Sequence, residues 1–334
     1  MVAAFDKFRG TAAASEAAAA VATAAASTGW DCTAVPLADG GEGTLEVLGG
    51  ANRRTTVTGP LGDQVEAAWR LWRGLAVVEM ALASGLELVG GAEGNDPIAA
   101  STYGTGELIT AAVEAGARRV IVGAGGSATT DGGLGALRAL YPLHRLKGVE
   151  LVVACDVRTR FAEAATVFAA QKGASPAQVA LLQRRLERLA QVYRAEHGVD
   201  VLPLVGGGAA GGLAGGLAAA GATLVEGFDL VADELELDEA LEDADLVITG
   251  EGFLDDQSFE GKVVGGVAER ATALGVPVVA IAGDVLAGCV VEGAHGAIDV
   301  VALVERYGEE MARTDTVACI TDAAASILRA RACG

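Results

Sequence analysis

The stretch Val120–Gly133, VIVGAGGSATTDGG, decides how this chain is read. An apolar run with no polar alternation feeds directly into a loop of five glycines, two threonines, a serine and an aspartate. A short continuous apolar run of this kind reads as a strand buried on both faces, the hallmark of parallel α/β sheets. Within it, Gly123–Ala128 spells G-x-G-x-x-A, a permitted form of the dinucleotide fingerprint. By itself the loop fits a dinucleotide cradle, a kinase's phosphate grip or a tight turn.

The same grammar recurs on both sides. Met1–Asp6 reads as a short buried strand. An alanine-rich helix follows over 11–28, with Thr11 as its N-cap and Gly29 beyond its end. Residues 31–41 carry a second strand into glycines. From 53 to 81 the pattern becomes short strands joined by Gly-Pro and Gly-Asp turns, which predicts antiparallel pieces. Further elements are a strand at 149–157, a strongly charged helix at 176–197 and a glycine-dense element at 206–221. From about 240 strand–helix alternation returns and closes with a helix at 314–332.

One architecture accommodates all of this: a two-domain α/β protein. Residues 1–44 plus 241–334 are expected to form a flavodoxin-like five-stranded parallel sheet. Residues 45–240 form a second α/β domain inserted into it, with the active site in the cleft between the two. In that strand order the switch point lies between the first and third strands, where ligands bind at the carboxyl ends. The residues leaving those strands are Asp6–Gly10 and Gly250–Asp255, with Asp39 arriving from the second strand.

Composition narrows the function. The net charge is −20, which repels nucleic acid and anionic lipid and leaves small molecules as partners. An anionic substrate must then be gripped by a local concentration of Lys, Arg and backbone N–H groups. Five scattered cysteines, Cys32, Cys155, Cys289, Cys319 and Cys333, show no metal spacing and point to a reduced cytoplasm. No apolar stretch long enough to span a membrane and no signal region are evident. The sequence leaves monomer and homodimer equally open. The three histidines, His144, His197 and His295, are not paired with Cys or Asp at ligand spacing. The P-loop G-x-x-x-x-G-K-[ST], the protein-kinase H-R-D and the G-x-S-x-G elbow are all absent.

Three carboxylate–glycine clusters stand out: Ala38–Thr44, Ser127–Gly133 and Gly250–Ser258. One such cluster is ordinary turn chemistry. Three, each closing a strand, suggest a Mg²⁺ and phosphate site, because Mg²⁺ takes one or two carboxylates plus waters and phosphate oxygens. Lys7, Arg9, Lys172 and Lys262 sit beside glycine turns, positions suited to gripping phosphate or carboxylate.

The motifs DKFRGT (Asp6–Thr11), PLADGGEGT (Pro36–Thr44), VEMALASGLELV (Val78–Val89), GAGGSATTDGG (Gly123–Gly133), VVACDV (Val152–Val157), QKGA (Gln171–Ala174), GAAGGLAGGL (Gly208–Leu217) and the run Asp245–Ala268 occur in that order. In this the chain resembles bacterial type I glycerate kinases over nearly its whole length. The resemblance implies two α/β domains, ATP as co-substrate, Mg²⁺, and phosphorylation of D-glycerate to 2-phosphoglycerate. The chain departs from the family pattern at Phe5 (usually Pro), Thr130 (usually Asn) and Phe253 (usually Arg). The segment around 141–150 is also shorter than the family's.

Phosphoryl transfer needs positioning, charge neutralisation and a base for the attacking hydroxyl. The glycine loop, through Gly125, Gly126, Ser127, Thr129 and Asp131, is expected to contact an anion. Backbone N–H groups opening the next helix should help it. Arg9, Lys172 and Lys262 are expected to bind substrate or phosphate, and Glu42, Glu251 and Asp255 the metal. Lys7 and Asp39 are expected in catalysis. Asp156, after an apolar strand, is the candidate general base. Two other classes remain open: an NAD(P)-binding oxidoreductase resting on Gly123–Ala128 and Asp156, and a non-catalytic small-molecule binder on a kinase scaffold.

Overall fold

The computed structural model describes residues 1–259, 262–286, 292–293 and 296–332. Cys289, His295 and Cys333 lie outside the described residues, as do Glu260 and Gly261 of the run ending at Ala268. The main strands are β1 (Val2–Phe5), β2 (Thr33–Pro36), β3 (Arg53–Thr58), β4 (Gln64–Trp72), β5 (Leu75–Glu79), β6 (Arg119–Gly123), β7 (Glu150–Cys155), β8 (Thr223–Glu226), β9 (Val247–Leu254) and β10 (Val278–Val285), followed by the strand Asp299–Ala302. The chain divides into two compact units, Met1–Asp39 with Phe228–Gly334, and Gly40–Gly227.

The first unit carries a five-stranded sheet in the order β2–β1–β9–β10–(Asp299–Ala302), all pairs parallel. This is the flavodoxin-like order. β1 sits between β2 and β9, with Val2 opposite both Thr33 and Val247. All four β1 residues are buried, which is why the strand reads as a continuous apolar run. The helix Ala14–Thr28 buries Ala14, Ala17, Ala18, Val21, Ala24 and Ala25. That stripe, at helical spacing, has side chains small enough for close packing against the helix Thr316–Ala332. Gly29 ends the helix in a left-handed conformation (φ 80°). The N-cap differs from expectation. The helix opens after Ala13, whose N–H donates to Glu16 Oε2 at 2.9 Å, while the Thr11 hydroxyl donates instead to the Phe8 carbonyl.

The second unit carries a six-stranded mixed sheet in the order β3–β4–β5–β6–β7–β8. β3, β4 and β5 are antiparallel, and β5 to β8 run parallel. Its core gathers Val78, Val120, Val122, Leu151 and Val153 from the sheet with Leu108, Phe161, Leu186 and Leu213 from surrounding segments. Burying each such side chain contributes roughly 1.5–3 kcal/mol. The helix Pro176–His197 starts where the sequence places it, with Ser175 capping through Gln178.

The unit boundaries fall at 39/40 and 227/228, against 44/45 and 240/241 in the sequence reading. Local bonds account for both shifts. The Leu45 N–H donates to buried Glu79 at the end of β5 (2.7 Å), so the turn at 44–47 belongs with the second sheet. The helix Gly227–Glu234 and the helix after it belong with the first, since Arg270 pairs with Asp229, Asp233 and Asp238 and lies over the Phe228 ring.

Candidate active site

The first unit gathers titratable groups where β1, β2 and β9 end. Asp6 follows the last residue of β1, and its N–H donates to the Gly250 carbonyl on β9. Its side chain is buried (7% exposed). Asp6 Oδ1 accepts the Lys7 N–H at 2.7 Å and pairs with Lys7 Nζ at 3.6 Å. Burial pushes the Asp6 carboxyl up to about 6; Lys7 opposes the rise and the Asp39 charge adds to it. Glu251, on β9, is pushed up to about 7, chiefly by burial, with Asp6 and Asp255 adding and Ser258 and Lys262 opposing. Its Oε1 is buried and has no hydrogen-bond partner. Buried carboxylate oxygens are normally paired, and an orphan of this kind calls for a ligand.

Asp255 is committed locally. Its Oδ1 accepts the Ser258 N–H at 3.0 Å and lies 3.2 Å from the Ser258 hydroxyl, while the Asp255 N–H donates back to Ser258 Oγ. Lys7 and Asp39 are half-buried and Arg9 is exposed. Lys262 stands at the N-cap of the helix Val263–Ala273. Phe253, where an arginine was expected from the resemblance, is 49% exposed.

In the second unit the glycine loop after β6 does something other than expected. Asp131 is an internal cap. Its carboxylate accepts the Thr102 N–H (2.9 Å), the Thr102 hydroxyl (2.9 Å), the Gly133 N–H (3.0 Å) and the Gly135 N–H (3.0 Å). It thus closes the N-termini of the helices Tyr103–Glu114 and Leu134–Leu140. The backbone N–H groups expected to face a bound anion are spent on the chain's own carboxylate, and the Gly132 N–H goes to the Gly211 carbonyl.

Lys172 is likewise internal, 4% exposed, with Nζ donating to Ser127 Oγ at 2.6 Å and the Thr129 carbonyl at 2.7 Å. Burial lowers its pKa to about 7, against the pull of Asp131. Lys172 therefore ties the loop together, where the sequence reading had it gripping an anion. Thr129 and Thr130 are both buried, and neither hydroxyl has a partner.

The glycines of this loop serve close packing. A Cβ on Gly125 would lie 2.8 Å from the Gly41 Cα, and one on Gly123 would lie 2.9 Å from the Gly40 carbonyl oxygen. In a dinucleotide fingerprint the second glycine makes room for pyrophosphate; here that space is filled by the chain's own Gly40–Gly41. The element Gly208–Leu217 packs on the same loop, with a Gly211 Cβ falling 1.9 Å from the Thr129 oxygen. Both glycine-rich stretches therefore exist largely to let two backbones touch.

The metal set expected from the sequence is divided between the units, Glu251 and Asp255 in the first and Glu42 in the second. Among the described residues no three of His, Cys, Asp and Glu gather into a group able to hold an ion. Glu42 is exposed and belongs to the second unit, and Asp255 is engaged by Ser258. Asp156 is half-buried, immediately past the buried end of β7. Its charge, with burial as the larger cause, pushes the Cys155 thiol up to about 12. Asp6, which the sequence reading placed at the switch point, was given no role there. Its signal was a carboxylate directly after a wholly apolar strand at the switch point.

A sequence model described as the glycerate kinase family matches residues 1–141 and 142–332. The chain is 41% identical to the glycerate 2-kinase of Escherichia coli K12 over 300 residues, covering 78% of each chain. It is 38% identical to the glycerate kinase of Bacillus subtilis 168 over 295 residues, covering 77% of each. It superposes on the crystal structure of a putative glycerate kinase 2 from Salmonella typhimurium LT2 with a TM-score of 0.81 and 35% identity, covering 99% of this chain and 98% of that one. With the family model spanning almost every residue, the chain belongs to the glycerate kinase family.

Proposed function

We propose that this protein transfers the γ-phosphoryl group of ATP to the 2-hydroxyl of D-glycerate, giving 2-phosphoglycerate and ADP. The whole-length family match carries this reading. Beside it stands the cluster of carboxylates and cations where β1 and β9 end, the position at which open α/β sheets bind ligands.

In the proposed roles, Lys7, Arg9 and Lys262 hold the anionic groups of the substrates. Asp39 orients Lys7 and the substrate. Glu251, with its orphaned Oε1, is the residue that would hold Mg²⁺, which would supply charge neutralisation to the phosphate oxygens. Asp156 accepts the proton of the attacking hydroxyl. Asp6, buried against Lys7, fixes that ammonium and sets the field around Glu251. Reduced Cys32, Cys155 and Cys319 fit an enzyme working in the cytoplasm.

The test is ADP formation by the full chain with and without D-glycerate, followed by phosphorus NMR of the product. ADP release that is indifferent to D-glycerate sinks the reading. A product carrying phosphate on the 3-hydroxyl overturns the proposed position of transfer.

A further inference from the structure

The second unit holds a cavity of about 640 Å³ that none of the roles above uses. Residues 97–101, the helix Leu134–Leu140 and the helix Pro176–His197 form its walls. Leu182, Arg185, Leu189 and Val192 follow one another at three- and four-residue steps along the long helix, so they share one face. With Ile98 and Leu134, the two leucines and the valine give the cavity an apolar lining. Four exposed arginines also line it: Arg138 from the helix after the glycine loop, and Arg184, Arg185 and Arg188 from the long helix. Lysine and arginine together make up only 24 of 334 residues, against 44 acids. Four arginines and a single carboxylate around one cavity reverse that balance locally.

The one carboxylate is Asp131, whose charge is already met by donors from two helix N-termini. None of the four arginines is ion-paired to a carboxylate among the described residues. Arg185 donates to the Ile98 carbonyl and Arg188 to Gln191, which leaves most of each guanidinium's five N–H donors unused. Like charges three and four residues apart on a helix repel, and Arg185–Arg188 and Arg184–Arg188 have that spacing. The acid between them, Glu187, accepts from Gln183 instead. The chain itself therefore leaves this charge uncompensated, beside an apolar surface.

We propose that the cavity binds a small anionic amphiphile, with a carboxylate or phosphate head under the arginines and an apolar tail along the leucine and valine side chains. Guanidinium forks suit both heads, since each oxyanion accepts two parallel bonds at once. The volume lies within the roughly 300–1,000 Å³ range of small-molecule sites. D-glycerate has no apolar part to lay on this lining, and the groups proposed to hold the phosphates, Lys7, Lys262 and Glu251, belong to the first unit. The ligand is therefore neither substrate nor phosphoryl donor. A net charge of −20 repels anions elsewhere on the chain, so an arginine-lined cavity is where one can settle. A ligand seated there bridges three elements of one unit, and its binding adds to their stability by mass action.

The experiment titrates decanoate into the full chain by calorimetry, below the concentration at which decanoate forms micelles. Decyl phosphate, decanol and acetate are titrated in parallel. Neither ATP nor D-glycerate is present, so the result is independent of kinase activity. The variants are R184Q/R188Q, at exposed positions, and Val192→Gln, at a half-buried one; circular dichroism checks that both are folded. The expected result is saturable binding of decanoate or decyl phosphate that is about 10–100-fold weaker in R184Q/R188Q, the weight of one or two charge-assisted bonds. Val192→Gln should weaken it several-fold. The tighter of the two anions identifies the head as carboxylate or phosphate ester, and either supports the site. Bound ligand should raise the Tm of the native protein and leave that of R184Q/R188Q in place. Absence of saturable binding by both anions overturns the inference, as does equal affinity in the native protein and R184Q/R188Q. Decanol binding as tightly as the anions overturns the role of the arginines. Acetate binding as tightly as decanoate, or an unchanged affinity in Val192→Gln, overturns the placement of the tail.

Discussion

Replacing Asp131 separates two jobs that the sequence cannot tell apart. A carboxylate reserved for substrate would cost activity when lost and leave stability alone. The structure assigns the opposite role. Asp131→Ala strips the acceptor from the N–H groups of Thr102, Gly133 and Gly135 and from the Thr102 hydroxyl. Two helix caps are lost together, each worth roughly 0.5–2 kcal/mol. The donors are part-buried, so water replaces the bonds incompletely and orphaned donors add their desolvation cost. A destabilisation of about 2–4 kcal/mol follows, and some of it should persist in Asp131→Asn, whose amide has one acceptor where the carboxylate has two. For a unit the size of Gly40–Gly227 each kcal/mol moves Tm by about 2–4 °C, so the alanine variant should melt roughly 5–15 °C lower. The assay is thermal unfolding by circular dichroism with urea titration at 25 °C. A variant that melts within about 2 °C of the native protein while losing activity refutes the capping role and returns Asp131 to the substrate.

Three further outcomes follow from the same geometry. Lys172 has a folded pKa of about 7 against an ordinary lysine value of 10.5, because burial disfavours its charge. Between those values the unfolded chain binds the proton and the folded chain does not, so stability rises with pH across roughly 7–10.5 and is lost as pH falls toward 7. The stability of the native protein relative to Lys172→Met should therefore climb by about 1.4 kcal/mol per pH unit between 7 and 9.5, and a pH-independent difference rules this out. Gly211→Ala puts a methyl group 1.9 Å from the Thr129 oxygen at a φ of +70°, which should cost about 2–5 kcal/mol from overpacking and left-handed strain together; an unchanged urea midpoint contradicts the packing. Asp156→Asn should keep the fold and cut kcat by about 10²–10⁴ if it holds the substrate proton, and retention of more than about a third of kcat removes it from the mechanism.

What the sequence made legible was local. Strand–helix alternation, the wholly buried β1 and the Ser175–Pro176 start of the long helix are all written within a few residues. The flavodoxin-like order was also legible, because the first two and last three strands carry the same apolar writing. What it hid depends on partners far away in the chain. Thr102 is 29 residues from the Asp131 it holds, and nothing about either residue alone predicts the pairing. The contact of Gly211 with Thr129 is equally remote, so nothing near Gly211 shows that it is there for backbone packing. A cavity in the second unit lined by Arg138, Arg184, Arg185 and Arg188 is assembled from the helix Leu134–Leu140 and the helix Pro176–His197, which lies some forty residues further on. Asp6 was placed at the switch point but given no role, because its neighbours Lys7 and Arg9 supplied the charges that an anionic substrate needs.

The carboxylates near the strand ends look alike as sequence and divide by one test, whether a donor meets each oxygen. Asp131 receives bonds from three backbone N–H groups and a hydroxyl, and so has nothing left to offer a cation or a substrate proton. Glu79, buried at the end of β5, receives the Leu45 N–H and fixes the turn after Gly43. Glu251 also sits against glycines at a strand end, yet its Oε1 is buried with no donor at all. Leaving a buried carboxyl oxygen unmet costs about 1–3 kcal/mol or more, which fits a residue whose partner arrives with the ligand. The burden of ligand binding therefore shifts from the glycine loop, which drew the eye in the sequence, to the quieter end of β9. There the glycines are spacers and the glutamate is the group with unfinished chemistry.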